Sequence, residues 1–263
     1  MIPKKIHYCW FGGNELPAIA KKCINSWKKF FPDYEIIEWN EKNFDINFNA
    51  YAKEAYDAKK YAFFTDVARL YIIYNHGGIY FDIDVEVINS FEDVLKNKAF
   101  FGFETKENVN TGLGFGAVPG NKIVKKMLDD YKTKKFILEN GEFDLTPCPI
   151  TNSKVLKKNK FSLTGNFEKK DGIAIYPVDY FNPKGGYGEI LNITSNTLSI
   201  HHFDGSWLST EEKKRANRRN LLCIKYGEKY GKIMYKTIYF PFILFSNIKE
   251  LGVKKFIKKI IGK

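Results

Sequence analysis

The chain has no run of about 18 uncharged apolar residues, so no membrane-spanning helix is expected from it. Its opening segment, "MIPKKIHYCWFGG", carries two lysines but neither a continuous apolar core nor a small-residue cleavage site, which argues against a signal peptide. Cysteine is sparse: Cys9, Cys23, Cys148 and Cys223 lie far apart and form no C-x-x-C pair. A disulfide framework and a zinc site are both disfavoured, and the four are expected to be reduced, mostly buried thiols of a cytosolic protein. There is no internal repeat, no low-complexity linker, and no side chain that stands out as a covalent nucleophile.

What the chain does have is apolar mass and an uneven charge. Hydrophobic residues make up 44% of its 263 residues, with 23 Phe and 16 Tyr, which is enough for a sizeable core and argues against disorder. The formal charge of +12 is carried almost wholly by the end of the chain. Residues 208–263 hold 15 Lys/Arg against four Asp/Glu, a net of +11, and residues 1–207 hold 27 against 26. A nearly neutral body with a cationic tail implies that the tail meets an anionic surface while the body does something else. We therefore expect a domain over 1–207 and a basic, amphipathic, mostly helical extension over 208–263.

Periodicity gives the body its class. Ile6, Tyr8 and Trp10 alternate in a first strand that Gly12-Gly13 ends; residues 18–30 have helical spacing; "YEIIEW" alternates again; and 50–61 is helix-like. This order points to an α/β domain with a largely parallel sheet. A helix capped by Thr65, with Asp66 in its first turn, follows and stops at "NHGG". Strands are expected at 100–104, 112–118 and 173–181, the last with a proline bend, and a helix at 121–138.

The run "GGIYFDIDVEV" (77–87) is the chemical centre of the sequence. In an extended strand Tyr80, Asp82, Asp84 and Glu86 share one face, and Ile79, Phe81, Ile83, Val85 and Val87 the other. Carboxylates at i and i+2 stand about 6–7 Å apart and raise one another's pKa unless a cation neutralises them. Hard oxygen ligands suit Mg²⁺ or Mn²⁺, and a diphosphate is the natural companion of such an ion. The plainer alternative is an edge strand with its acidic face in water. Asp66 and Arg69, at i and i+3, are equally readable as an intrahelical ion pair.

Three segments carry a resemblance. "YAFFTDVARLYIIYNHGGIYFDIDVEV" (61–87), "IPKKIHYCWFGG" near the start and "SIHHFDGSW" (199–207) closely resemble the sugar-binding module, the opening and the closing element of family 32 glycosyltransferases, in that family's order. The family includes yeast-type initiating mannosyltransferases and bacterial capsule and surface-polysaccharide enzymes, and the glucosyltransferase domains of large clostridial toxins share the pattern. The resemblance implies a GT-A type, Rossmann-like fold with a mixed, mostly parallel sheet, a nucleotide-sugar donor and a divalent metal, Mn²⁺ or Mg²⁺. It also implies retention at the anomeric carbon. By the same carry-over Asp82 touches the donor ribose and approaches the metal, and Asp84 ligates the metal. Asp66 and Arg69 hold sugar hydroxyls and a phosphate or sugar oxygen, making Asp66, Arg69, Asp82 and Asp84 the catalytic set. Trp10 lines the base site, Tyr61 and Gly78 belong to the donor site, and Ser206 and Trp207 close over the diphosphate.

Of the paired histidines, His202 is the favoured further metal ligand and His201 the alternative. Asn110, in "NVNTGLGFGAVPGN", falls where acceptor-side residues are expected, although a glycine-rich strand and turn explains that segment equally well. "PCPITN" (147–152) resembles a family segment that usually has Gly where Cys148 stands. In the tail, a cationic helix is expected over 208–222. "VKKFIKKII" places Val253, Phe256, Ile257, Ile260 and Ile261 opposite its lysines, the pattern of an interfacial helix on anionic lipid.

The sequence is thus expected to encode a metal-dependent retaining hexosyltransferase of bacterial surface-glycan synthesis. It would use a UDP-sugar rather than GDP-mannose, act on a glycan or lipid-linked acceptor, bind no nucleic acid, and sit in the cytoplasm at the inner face of the membrane. The competing expectation is a non-catalytic basic module that binds anionic lipid or nucleic acid.

Overall fold

The fold is that of a computed structural model, which describes residues 1–185, 191–204, 210–227 and 229–239. The chain divides into two compact units, Met1–Tyr187 with Leu191–Trp207, and Gly188–Ile190 with Leu208–Lys263. Among the described residues, no helix is long and apolar enough to cross a membrane.

The first unit opens as expected with β1 (Lys5–Cys9), α1 (Ala18–Phe30) and β2 (Glu35–Trp39), the strands pairing in parallel from Lys5–Glu35 to Cys9–Trp39. α2 (Ala50–Asp57) is capped by Asn49, whose side chain accepts from the Ala52 N–H, and α3 (Tyr61–His76) delivers the chain to β3 (Gly78–Tyr80), parallel beside β1. There follow β4 (Val85–Val87), α4 (Glu92–Leu95), β5 (Ala99–Phe103), β6 (Val109–Asn110), β7 (Phe115–Ala117) and α5 (Lys122–Asp130). The unit continues with α6 (Cys148–Lys158), β8 (Glu168–Lys170), β9 (Ile173–Tyr176), α7 (Val178–Phe181) and β10 (Ser199–His201).

The central sheet has the order β2-β1-β3-β7-β5-β9-β8, with β6 added against β5. β1, β2, β3, β5 and β9 run one way and β6, β7 and β8 the other, giving the expected mixed, mostly parallel sheet. Alternation along the strands sends side chains into two cores. Tyr80, Phe101, Phe103 and Phe115 meet α2, α3, α5 and α6 on one face. Ile6, Tyr8, Ile79 and Phe100 meet Trp27 of α1 and Phe181 of α7 on the other.

Several elements differ from the sequence expectation. α3 begins at Tyr61, not at Thr65: the Thr65 hydroxyl bonds back to the Ala62 carbonyl inside the helix, and Asp66 sits in the second turn. The run 77–87 is not one strand. β3 stays in the central sheet, the chain turns at Asp82–Val85, and β4 pairs antiparallel with β10 in a separate two-stranded sheet. β4 is held there by α1, because Trp27 Nε1–H donates to the Val85 carbonyl (2.7 Å) and Ser26 Oγ accepts from the Val87 N–H (2.9 Å). The apolar alternation survives the break: Ile79, Phe81, Val85 and Val87 all enter the α1-side core, with Ile83 packed against it. The expected strand 173–181 ends at Tyr176 and continues as α7, and the expected helix 121–138 stops at Asp130 before a short 3₁₀ turn, Tyr131–Thr133. All four cysteines are buried thiols, as expected.

In the second unit α8 (Thr210–Tyr226) extends the expected cationic helix by one turn, Gly227 breaks it at a positive φ of 79°, and 229–239 is helical. A β-carbon at Gly231 would stand 2.4 Å from the Cys223 backbone, so glycine is what lets the two helices cross closely. The segment "VKKFIKKII" lies outside the described residues.

Candidate functional site

The site forms where β3 ends and the chain turns toward β4. Asp84 is 8% exposed; its Oδ1 faces His201 Nε2 at 3.1 Å and its Oδ2 accepts from the Asp204 N–H at 2.8 Å. Asp82 accepts from the Tyr80 hydroxyl (3.1 Å) and lies 3.5 Å from Arg69 Nη2. Arg69, 4% exposed, pairs with Asp66 at 2.8 Å, donates from Nε to the Thr65 carbonyl, and lies over the Tyr80 ring. The guanidinium thus ties α3 to the end of β3 and fixes both carboxylates.

A close backbone approach completes this arrangement. A β-carbon at Gly112 would come within 2.3 Å of Asp82 Oδ2, 2.8 Å of Arg69 Nη1 and 3.1 Å of Asn110 Oδ1. Only glycine leaves those side chains where they are. Asn110 Oδ1 accepts from the Gly112 N–H (2.6 Å) and lies 3.6 Å from Cys148 Sγ, while its Nδ2 donates to Glu104 at 3.1 Å.

The electrostatics set the carboxylates apart. Burial opposes ionisation of Asp84, yet the His201 imidazole and the Asp204 N–H hold its carboxyl well below the usual range. Burial pushes the Asp82 carboxyl up against the pull of Arg69 and His201. Burial raises Asp66 to about 6 although Arg69 opposes it. His201 is raised overall, since Asp84, Asp82 and Glu104 favour its cation more than burial disfavours it. Burial raises Glu104, with His201 and Asn110 acting the other way.

One ligand atom each from Asp82, Asp84 and His201 lie within 4.8 Å of one another. This donor set fits a divalent cation. Two carboxylates meet a buried imidazole whose Nε2 faces Asp84 and whose Nδ1 has no hydrogen-bond partner among the described residues. The favoured His202 is not part of the group. Neighbouring residues on β10 and its extension face opposite ways, so His202 turns to Glu86 (2.8 Å), which also pairs with Lys22 (2.7 Å).

The remaining expected residues separate clearly. Tyr61 lies at the carboxyl end of β1, its ring over Gly12, where a β-carbon would come within 2.7 Å. Trp10, partly buried beside that end, donates from Nε1 to the Asn14 carbonyl. Asn110 is brought beside the acid pair. Gly78 is not: it stands at the opposite end of β3 from Asp82, and its positive φ of 95° and the 2.6 Å approach to the Lys5 carbonyl give it a structural role between strands. Ser206 and Trp207 lie outside the described residues.

Glu104, Gly112, Cys148 and Lys184 were not expected in the site. Lys184 donates to the His202 carbonyl and, despite burial that lowers its pKa, feels Asp84 and Asp204. The available signal was the carboxylate that closes "FFGFE", directly after a strand running the same way as β3.

Residues 17–101, which span α1 to β5 and hold Asp66, Arg69, Asp82 and Asp84, match the family described as "glycosyltransferase sugar-binding region containing DXD motif". An uncharacterized glycosyltransferase of Acanthamoeba polyphaga mimivirus is 29% identical over 196 residues, covering 70% of this chain and 76% of the relative. Inositol phosphoceramide mannosyltransferase 3 of Schizosaccharomyces pombe is 31% identical over 123 residues, 43% of this chain and 33% of that protein. The chain therefore spans about three quarters of the first relative and a third of the second. The solved structure of the PaToxG glycosyltransferase aligns over 89% of this chain and 87% of its own, at 17% identity and a TM-score of 0.41. With its acid pair set in the matched region, the chain is a glycosyltransferase that carries, in residues 17–101, the sugar-binding region with a DXD motif.

Proposed function

We propose that the chain transfers a hexose from a nucleotide diphosphate sugar to a glycan or lipid-linked acceptor, with a divalent cation held by Asp82, Asp84 and His201. The observation that carries this reading is the convergence of those three ligand atoms within 4.8 Å, beside the Asp66–Arg69 pair. In the transfer an acceptor hydroxyl oxygen bonds to the anomeric carbon, and the bond from that carbon to the diphosphate breaks. The electron pair leaves with the nucleoside diphosphate, and the hydroxyl proton passes to an oxygen of that diphosphate or to solvent. A bound cation supplies charge stabilisation for the leaving diphosphate. Arg69, fixed on both sides by carboxylates, orients the sugar-side groups with Asp66, and Lys184 adds a positive charge near Asp84. The mixed oxygen and nitrogen donor set favours Mn²⁺ over Mg²⁺, which prefers oxygen alone.

We favour a UDP-sugar and retention, on the family resemblance alone. The mannosyltransferase among the relatives supports GDP-mannose as the second donor to test, and its inositol phosphoceramide acceptor supports a lipid-borne one. We place the reaction at the cytoplasmic face of a membrane, in bacterial surface-glycan synthesis. Supporting that placement, residues 208–263 carry a net +11, and Leu221, Ile224, Tyr230 and Ile233 are exposed beside Lys225 and Lys229.

The deciding experiment measures release of nucleoside diphosphate from UDP-glucose, UDP-galactose, their N-acetyl forms and GDP-mannose, with Mn²⁺ and with excess chelator. Turnover of one donor that requires the metal is expected. Equal turnover in chelator refutes the metal-assisted reading.

A further inference from the structure

We propose that Glu104 is an acceptor-binding residue, its carboxylate receiving a hydroxyl of the sugar acceptor at the β5 end of the sheet edge, away from the nucleotide. This rests on the donor reading above. β1, β3 and β5 run in the same direction, so the residues that follow them lie along one edge of the sheet: Trp10 after β1, Asp82 after β3, Glu104 after β5. The order β1-β3-β7-β5 puts Asp82 one strand from β1 and Glu104 two strands further on, about 10 Å at the usual strand spacing. A donor with its base near Trp10 and its diphosphate at Asp82 and Asp84 therefore points its sugar toward β7, and whatever attacks that sugar comes from the side of β5.

Side-chain contacts connect the two ends. Asp82 and Arg69 close on the Gly112 α-carbon, Gly112 N–H donates to Asn110, and Asn110 Nδ2 donates to Glu104 Oε2 at 3.1 Å. Glu104 is firmly placed, since its N–H donates to the Asn108 carbonyl and its own carbonyl accepts from Asn182 Nδ2. Glu104 as a residue is half-buried and, among the described residues, forms no ion pair; the asparagine donor uses one of its several acceptor sites. The Glu104 charge reaches Asp66, and the His201 imidazole acts on Glu104 in turn; the carboxylate itself makes this a place for a neutral hydroxyl and not for a phosphate or a carboxylate. The proposal therefore includes a specificity: the acceptor sugar that meets Glu104 is uncharged.

The test uses the full chain with Mn²⁺ and the donor it turns over, and a panel of octyl glycosides as acceptors, including an octyl uronide. Two rates are read, donor hydrolysis without acceptor and transfer with it. In Glu104→Gln the acceptor KM should rise about tenfold or more, the loss of one hydrogen bond to a charged group, while donor KM and hydrolysis stay within about twofold. If that variant does not fold, Glu104→Asp, which keeps the charge but withdraws it, should show the same split. An unchanged acceptor KM, a parallel fall of hydrolysis and transfer, or efficient use of the uronide overturns the assignment. A wild-type chain that neither hydrolyses nor transfers any donor refutes the donor reading itself, a different failure from an active wild type with indifferent Glu104 variants.

Discussion

At the scale of single residues, the site is defined by how a few side chains divide their partners. Asp84 is held ionised by His201 and the Asp204 N–H, whereas burial keeps Asp82 closer to neutrality. Asp84→Asn should therefore remove metal-dependent turnover by a factor of about 100 or more while the protein still folds, which activity assays and circular dichroism will read together. The histidines provide a sharper contrast. His201→Ala should weaken Mn²⁺ affinity about 10–100-fold, and His202→Ala should leave it nearly unchanged, because His202 faces Glu86. Gly112→Ala, placing a methyl 2.3 Å from Asp82 Oδ2, should displace that carboxylate and cost metal affinity of similar size, measured by the same titration. Asp66, Arg69, Asp82 and Asp84 were legible in the sequence because their spacing is local. The choice of His201 was not: adjacent histidines become distinguishable only once β10 pairs with β4 in a fixed register. Gly112 was hidden for a related reason, since it is the antiparallel return of β6 and β7 that carries it to the end of β3.

At the scale of elements, the junction of β1, β2, α3 and β3 is stitched by one neutral imidazole. His7 Nε2–H donates to the Gly77 carbonyl and Nδ1 accepts from Trp39 Nε1–H, both at 3.0 Å, which leaves no nitrogen for a further proton. Burial lowers its pKa to about 4. The unfolded chain takes up that proton near pH 6.5, so it binds more protons than the fold between about pH 6.5 and 4, and stability falls as pH falls through that window. Denaturant titrations should show a loss from this residue of about 2 kcal/mol on going from pH 7 to pH 5, a slope that His7→Gln reduces. Elements with a clean period were legible from the sequence, and α1 matches its expected span. The break at 81–84 was not, because the alternation of apolar residues persists through it while the pairing partner changes. α6, short in periodic signal and opening on Cys148-Pro149, was missed altogether.

For the whole molecule, the uneven charge is the feature that composition alone made plain. The full chain should float with vesicles containing anionic lipid, stay behind with purely zwitterionic vesicles, and be released as salt is raised, since each lysine near an anionic surface contributes about 1 kcal/mol that screening removes. The central claim is the donor site, and thermal melting with nucleotide sugars tests it most directly. With Mn²⁺ and a nucleotide sugar at about 100 times its Kd, the wild-type chain should gain about 2.7 kcal/mol and melt several degrees higher, whereas Asp84→Asn should not respond. A wild-type chain that no nucleotide sugar stabilises, or that is stabilised equally in excess chelator, would contradict the account.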